Sequence, residues 1–300
     1  MSPSPAAPWL LCWQGLLATE QASRLRKLLP QIAGGMLCAL LLVLPMATRT
    51  GLGLLIAACG LLWLVWGLAT PPVQRPLGAI NGWLLVYLAI ALVATGLSPV
   101  PAAAAKGLLK LLSYLGVHAL MRRLLEGAPQ WWNRLLAALL LGQLITAVIG
   151  LRQLYAPIED LALWADPNSV ADGTRRIYST LGNPNLLAGY LVPILPLAVI
   201  GLLRWQGLWP KLLALSSLGC GLAAALLSYS RGGWIGLLLA LGSLGLLLLL
   251  RQSRQLGQLW GKLLPPLVIT AVVVALVLAA IKVEPLRIRL TSMLAGRGDS

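Results

Sequence analysis

The sequence predicts an all-α fold: a polytopic bundle of transmembrane helices with about nine spans and a cytoplasmic N-terminus. Three observations lead there. Of the 300 residues, 59% are hydrophobic and 10% charged, with a mean hydropathy of +0.85, whereas a soluble domain carries roughly a quarter charged residues. The apolar residues gather in runs close to the ~20 residues that cross a bilayer. Most Lys and Arg outside the runs fall in every second gap between them.

Residues 1–30 read as a cytoplasmic or interfacial amphipathic N-terminus. The apolar stretch WLLCWQGLLA precedes the basic cluster Arg24, Arg26 and Lys27. A signal peptide has the opposite order, and a segment lying in the membrane surface fits better. Five spans follow within 31–152, at 31–48, 51–70, 80–98, 106–121 and 135–152. The break between the first two reads as a tight hairpin at Arg49, Thr50 and Gly51, and the fourth is the most polar, with Lys110 and His118. Residues 153–185 form a long external loop. Four more spans lie within 186–282, at 186–203, 212–228, 232–250 and 265–282. The polar tail 283–300 reads as the start of a second external segment, so the chain is expected to continue beyond it.

Sidedness comes from the basic residues. With the N-terminus in the cytoplasm, the inner loops hold Arg75, then Arg122, Arg123 and Arg134, then Arg204 and Lys211, then Arg251, Arg254 and Lys262. Among the acidic residues, Glu20 and Glu126 share that side. This is the positive-inside arrangement. The loop 153–185, with Glu159, Asp160, Asp166, Asp172, Arg175 and Arg176, is then external.

The sequence pI of about 10.6 and net charge of +15 would suggest nucleic acid in a soluble protein. Here the bias in membrane loops explains them, and no nucleic-acid partner is expected. Cys12, Cys38, Cys59 and Cys220 are scattered through apolar surroundings, and His118 is the sole histidine. No Cys/His metal set can be assembled. No P-loop, dinucleotide fingerprint, nucleophile elbow or internal repeat occurs, so no cofactor and no metal is expected. No Asp or Glu lies well inside a span, which counts against an ion-coupled transporter. Gly- and Ala-rich stretches such as LGCGLAAALLS fit close helix packing in lipid.

Two motifs stand out on the external side. In Gly182-Asn183-Pro184-Asn185, Pro184 suits the first position of a helix and Asn183 suits its N-cap. The start of the sixth span then points outward, with the partial positive charge and open N–H groups that attract anions. One asparagine suffices for capping; the second is left over. In SYSRGGWIG, Ser230 can cap the eighth span, while Gly232 and Gly233 allow close backbone approach. Arg231 stands at the wrong end of the helix dipole and on the wrong side for the basic bias. It either snorkels to a lipid phosphate or serves a site. With Arg175 and Arg176 it would make an electropositive outer pocket, because guanidinium matches phosphate or carboxylate oxygens. Tyr178, Tyr190, Trp164 and Trp234 fit an aromatic belt or a sugar-stacking surface.

GNPNLLAGYL after an Arg-containing external loop, and SYSRGGWIG between two spans, resemble the O-antigen ligase and O-antigen polymerase family of bacterial membrane proteins. The stretch STLGNPNLLAGYLVPILPLAV looks most like the cyanobacterial inorganic-carbon-transport protein B branch, identified with bicarbonate transport. The resemblance covers residues 175–250. It implies a multi-pass inner-membrane protein with a periplasmic site. Family ligases transfer a glycan from a polyprenyl-pyrophosphate carrier, and their pyrophosphate-binding arginines would correspond to Arg176, Arg175 and Arg231. The family's periplasmic histidine has no counterpart, since no histidine follows His118; no catalytic base is identified. The expected partners are the bilayer and either a lipid-linked glycan or a small anion such as bicarbonate. Asn183 and Asn185 would position the carrier or its sugar.

Overall fold

The computed structural model describes residues 20–69, 78–155 and 176–253. Among them, every regular element is helical. The α-helices are α1 (Glu20–Val43), α2 (Arg49–Ala69), α3 (Ala79–Gly96), α4 (Pro101–Gly127), α5 (Trp131–Arg152), α6 (Pro184–Arg204), α7 (Leu208–Leu227) and α8 (Arg231–Ser253). Short 3-10 turns follow α5 at Gln153–Tyr155 and precede α6 at Ser179–Leu181.

Six helices among the described residues are long and apolar enough to cross a membrane: α2, α3, α5 with its 3-10 extension, α6, α7 and α8. The expected span at 31–48 falls on α1, whose apolar part, Lys27–Val43, is shorter than a full span. The expected span at 106–121 falls on α4, a 27-residue helix that includes Lys106, Lys110, Arg122, Arg123 and Glu126. The expected span at 265–282, the loop from 156 to 175 with Trp164 and Arg175, and the segments 1–19 and 283–300 lie outside the described residues.

The first hairpin sits earlier than the sequence suggests. The chain turns at residues 44–48, and Arg49, Thr50 and Gly51 form the first turn of α2. Thr48 decides this locally: its Oγ1 accepts the N–H of Gly51 at 3.2 Å, satisfying an amide that a helix start leaves open. Likewise, Glu20–Val43 is one helix, so residue 30 marks no break in secondary structure.

The chain divides into two compact units, residues 1–138 and 139–300. In the first, Leu29, Ala33, Leu37 and Leu40 of α1 recur at helical spacing and pack with Cys59 and Trp66 of α2 and Leu120 and Leu124 of α4. Gly34 admits the Trp131 ring, where a Cβ would lie 2.5 Å from its carbons. Arg123 stacks over Trp66 at 5.0 Å and Arg134 over Trp131 at 4.7 Å, while Arg122 pairs with Glu126 at 2.7 Å. Basic side chains thus lie on apolar rings. α3 buries no residue; its outward Leu, Ile and Val side chains suit lipid. His118 joins it to α4 through Asn81, at 3.1 Å.

In the second unit, Ala147 of α5, Leu187, Leu191 and Leu195 of α6, Ala224 and Ala225 of α7, and Leu237 of α8 share one core. Gln143 is fully buried there. It donates to the Ser217 carbonyl at 3.1 Å and accepts from the Ser217 hydroxyl. Gly221 makes room, since a Cβ there would overlap the Gln143 amide. An amide paired this way joins two spans without leaving an unsatisfied polar group in the interior.

Candidate functional site

The starts of α6 and α8 meet at one end of the second unit. At α6, Asn183 takes an extended conformation and its Oδ1 accepts the N–H of Asn185 at 2.8 Å, with Pro184 in the first helical turn. Gly182 lies in the left-handed region at φ +68°, which glycine adopts without penalty. At α8, the Ser230 Oγ accepts the N–H of Gly233 at 3.2 Å, and the Ser230 carbonyl accepts the N–H of Trp234 at 2.9 Å. Both motifs therefore cap helices, as their residue types require.

The second asparagine does something different. Asn185 Oδ1 accepts from Arg176 Nη2 at 3.4 Å. Arg176, 8% exposed, also donates through Nε to the Ser228 carbonyl at 3.3 Å. One guanidinium therefore ties the chain before α6, the first turn of α6 and the α7–α8 turn together. Next to it, the Ile177 amide donates to the Leu227 carbonyl at 3.3 Å.

Two non-glycine residues hold positive φ at this end, Ser179 at 54° and Tyr229 at 49°. Such conformations cost on the order of 1 kcal/mol and persist only when the surroundings enforce them. For Ser179 the enforcement comes from α5 and the 3-10 turn that follows it. Gln153 Oε1 accepts the amides of Tyr178 at 3.0 Å and Ser179 at 2.8 Å, and the Ser179 hydroxyl donates to the Thr146 carbonyl at 2.6 Å. For Tyr229, buried Ser228 caps the turn, donating to Ala225 at 2.7 Å and accepting from Ser230 at 3.3 Å. The Trp234 indole donates to the Leu226 carbonyl at 3.2 Å and tilts against the Tyr229 ring, centroids 6.1 Å apart.

Between the two helix starts lies an open cavity of about 450 Å³, lined by Asn185, Gly189, Val192, Ser230, Arg231, Gly232 and Gly233. α6 and α8 approach closely beside it: a Cβ on Gly233 would lie 2.5 Å from the Ala188 Cβ. Half-buried Arg231 contributes full positive charge, and the two helix dipoles add partial positive charge at the same end. The amide of Gly232, in the first turn of α8, has no acceptor within the helix. The arrangement can hold an oxyanion by charge and by backbone N–H groups.

Of the residues picked out from sequence, Asn185, Ser230, Arg231, Gly232 and Gly233 line the cavity. Arg176 stands behind Asn185, while Gly182, Asn183 and Pro184 shape the entry to α6 without lining it. Arg175 lies outside the described residues. Trp234 and Tyr178 are engaged by hydrogen bonds, and Tyr190 packs at the edge of the core. Sequence reasoning missed Gln153, Ser179 and Ser228, which hold the turns. A glutamine at the end of an apolar run, as in AVIGLRQLY, was the available signal for the first. Comparison with protein-family models, with curated proteins and with solved structures found no match.

Proposed function

We propose that this chain is a bacterial inner-membrane protein whose cavity at the starts of α6 and α8 faces the periplasm and binds a polyprenyl-pyrophosphate-type oxyanion, in the manner of O-antigen ligase-like glycosyl transfer. Nine spans and a cytoplasmic N-terminus complete the reading. In that orientation Arg204 and Arg251, at the far ends of α6 and α8, lie on the cytoplasmic side, where basic residues are favoured.

The observation that carries the reading is the lining of the cavity: Arg231, Ser230 and Gly232 from one helix start face Asn185 from another. Charge and amides are concentrated at the mouth, while Gly189 and Val192 continue the wall down α6. From Asn185 to Val192 that wall runs about 10 Å, at 1.5 Å per residue. A ligand with an anionic head suits such a lining. Arg231 would stabilise the charge that develops on a departing pyrophosphate, the usual large electrostatic contribution in this chemistry. Arg176 would hold Asn185 in place rather than meet the ligand. No general base is assigned.

The test is reconstitution of the full-length protein in liposomes, measuring glycan transfer from a polyprenyl-pyrophosphate donor and uptake of labelled bicarbonate side by side. Transfer that fails with Arg231→Ala supports the proposal. Bicarbonate uptake without transfer overturns it in favour of inorganic-carbon transport.

A further inference from the structure

The first unit holds the cations at its two ends differently. α1 and α2 form a hairpin, so the start of α1 and the end of α2 share one end of the unit, and the contact of Arg123 with Trp66 brings the α4–α5 turn to the same end. Two guanidiniums there rest on indoles: Arg123 over Trp66 at 5.0 Å and Arg134 over Trp131 at 4.7 Å. Both indoles are fixed. Trp66 is buried, and the Trp131 ring occupies the notch that Gly34 leaves on α1. At the opposite end, Arg49 and Lys106 are exposed, and among the described residues neither lies over a ring.

The stacked arginines lie at the edges of the apolar runs. Trp66 is in the last turn of α2, Arg123 follows the apolar part of α4, and Arg134 immediately precedes that of α5. Trp83 and Trp132 are exposed at the same end, α3 being joined to it through the His118–Asn81 bond. Exposed indoles beside basic residues mark the membrane–water interface. The described side chains give this end four cations, Lys27, Arg122, Arg123 and Arg134, against one carboxylate, Glu126, which pairs with Arg122.

A guanidinium lying on a ring uses its face and keeps its N–H edge for oxygen acceptors. Phosphodiester oxygens match that edge. A fixed ring also removes rotamer freedom from the arginine before any ligand arrives. The excess positive charge repels the ammonium of a zwitterionic headgroup and attracts a lipid of net negative charge.

We propose that this end of the first unit is a binding site for an acidic phospholipid, whose phosphodiester is held by Arg123 and Arg134 on their indole supports. A lipid fits better than a soluble anion because exposed Leu28 and Ile32 on α1 lead from this level into the apolar layer, where acyl chains lie. The site draws on none of the residues of the cavity at α6 and α8, and it stands whether or not that cavity binds an anion.

The test is native mass spectrometry of the full chain in detergent, titrated with phosphatidylglycerol and with phosphatidylcholine of the same acyl chains. Two basic residues at a membrane surface correspond to a preference of roughly thirtyfold for the acidic lipid, which the wild type should show. Arg123→Gln/Arg134→Gln should bring it to within about twofold of no preference. Arg123→Lys/Arg134→Lys should retain about tenfold or less, because an ammonium has neither the planar face nor the paired N–H edge. Arg49→Gln, at the other end, should behave as the wild type. If the glutamine pair does not fold, the single variants decide, each expected to lose about fivefold. Inorganic phosphate, an oxyanion without acyl chains, should not displace the lipid. The site is overturned by a wild type without preference, by a preference that survives the glutamine changes, by a lysine pair equal to wild type, by an equal loss in Arg49→Gln, or by displacement with phosphate.

Discussion

Gly232 and Gly233 are adjacent in sequence and opposite in surroundings, which allows a sharp test of how the cavity is held. A Cβ on Gly233 would meet the Ala188 Cβ at 2.5 Å and the Ser230 Cβ at 3.1 Å. Carbon atoms prefer about 3.5–4.0 Å, so Gly233→Ala requires α6 and α8 to part by roughly 1 Å at their crossing. Overpacking of this kind costs about 1–3 kcal/mol. The better helix propensity of alanine offsets up to about 1 kcal/mol, leaving a net loss near 1–2 kcal/mol. Thermal unfolding in detergent should show a Tm lower by about 2–8 °C, on a scale of about 2–4 °C per kcal/mol. Asn185 and Arg231 move apart with the helices, so pyrophosphate binding weakens too. A Cβ on Gly232 meets nothing within 4 Å, so Gly232→Ala keeps the propensity gain of up to about 1 kcal/mol without the clash, and its Tm should equal or slightly exceed that of the wild type. Equal Tm and equal pyrophosphate affinity in Gly233→Ala and wild type would refute the packing argument.

Three further changes probe the frame around the cavity. Arg176→Lys should lower the Tm almost as much as Arg176→Ala, because one ammonium lacks the planar fork that reaches both Ser228 and Asn185; a lysine variant with wild-type Tm contradicts this. Gly182→Ala should cost about 1–2 kcal/mol by scanning calorimetry, purely from φ +68°, since its Cβ would meet no neighbour; an undiminished Tm would show that the turn relaxes. Gln143→Leu removes the partner of both the Ser217 carbonyl and its hydroxyl and should cost about 1–3 kcal/mol, visible as a lower midpoint in denaturant; a stabilised variant would assign the pair no structural role.

Much of the fold was legible because hydropathy runs and capping residues are local signals. The motifs around Pro184 and Arg231 placed the starts of α6 and α8 within about two residues, since Asn183 and Ser230 cap as their side chains dictate. Hydropathy was less informative where a helix outlasts its apolar part. α4 begins at Pro101 and continues past Arg122 and Arg123 to Gly127, because helix formation tolerates charges that a hydropathy window does not. The first hairpin was displaced because Thr48 sets the start of α2, a one-residue effect hidden inside an apolar average. In the site, the cavity-lining residues were legible as broken local rules, Arg231 above all. The supporting bonds were not, because Gln153 reaches Ser179 across 26 positions and Arg176 reaches Ser228 across 52.

The most direct measurement of the anion site is pyrophosphate affinity of the full chain in nanodiscs, wild type against Arg231→Ala, at matched Tm. Loss of a charge-assisted hydrogen-bond partner is worth about 1.5–3 kcal/mol, so the variant should bind roughly 10- to 150-fold more weakly. Equal affinity in the two proteins would contradict an anion site at the starts of α6 and α8.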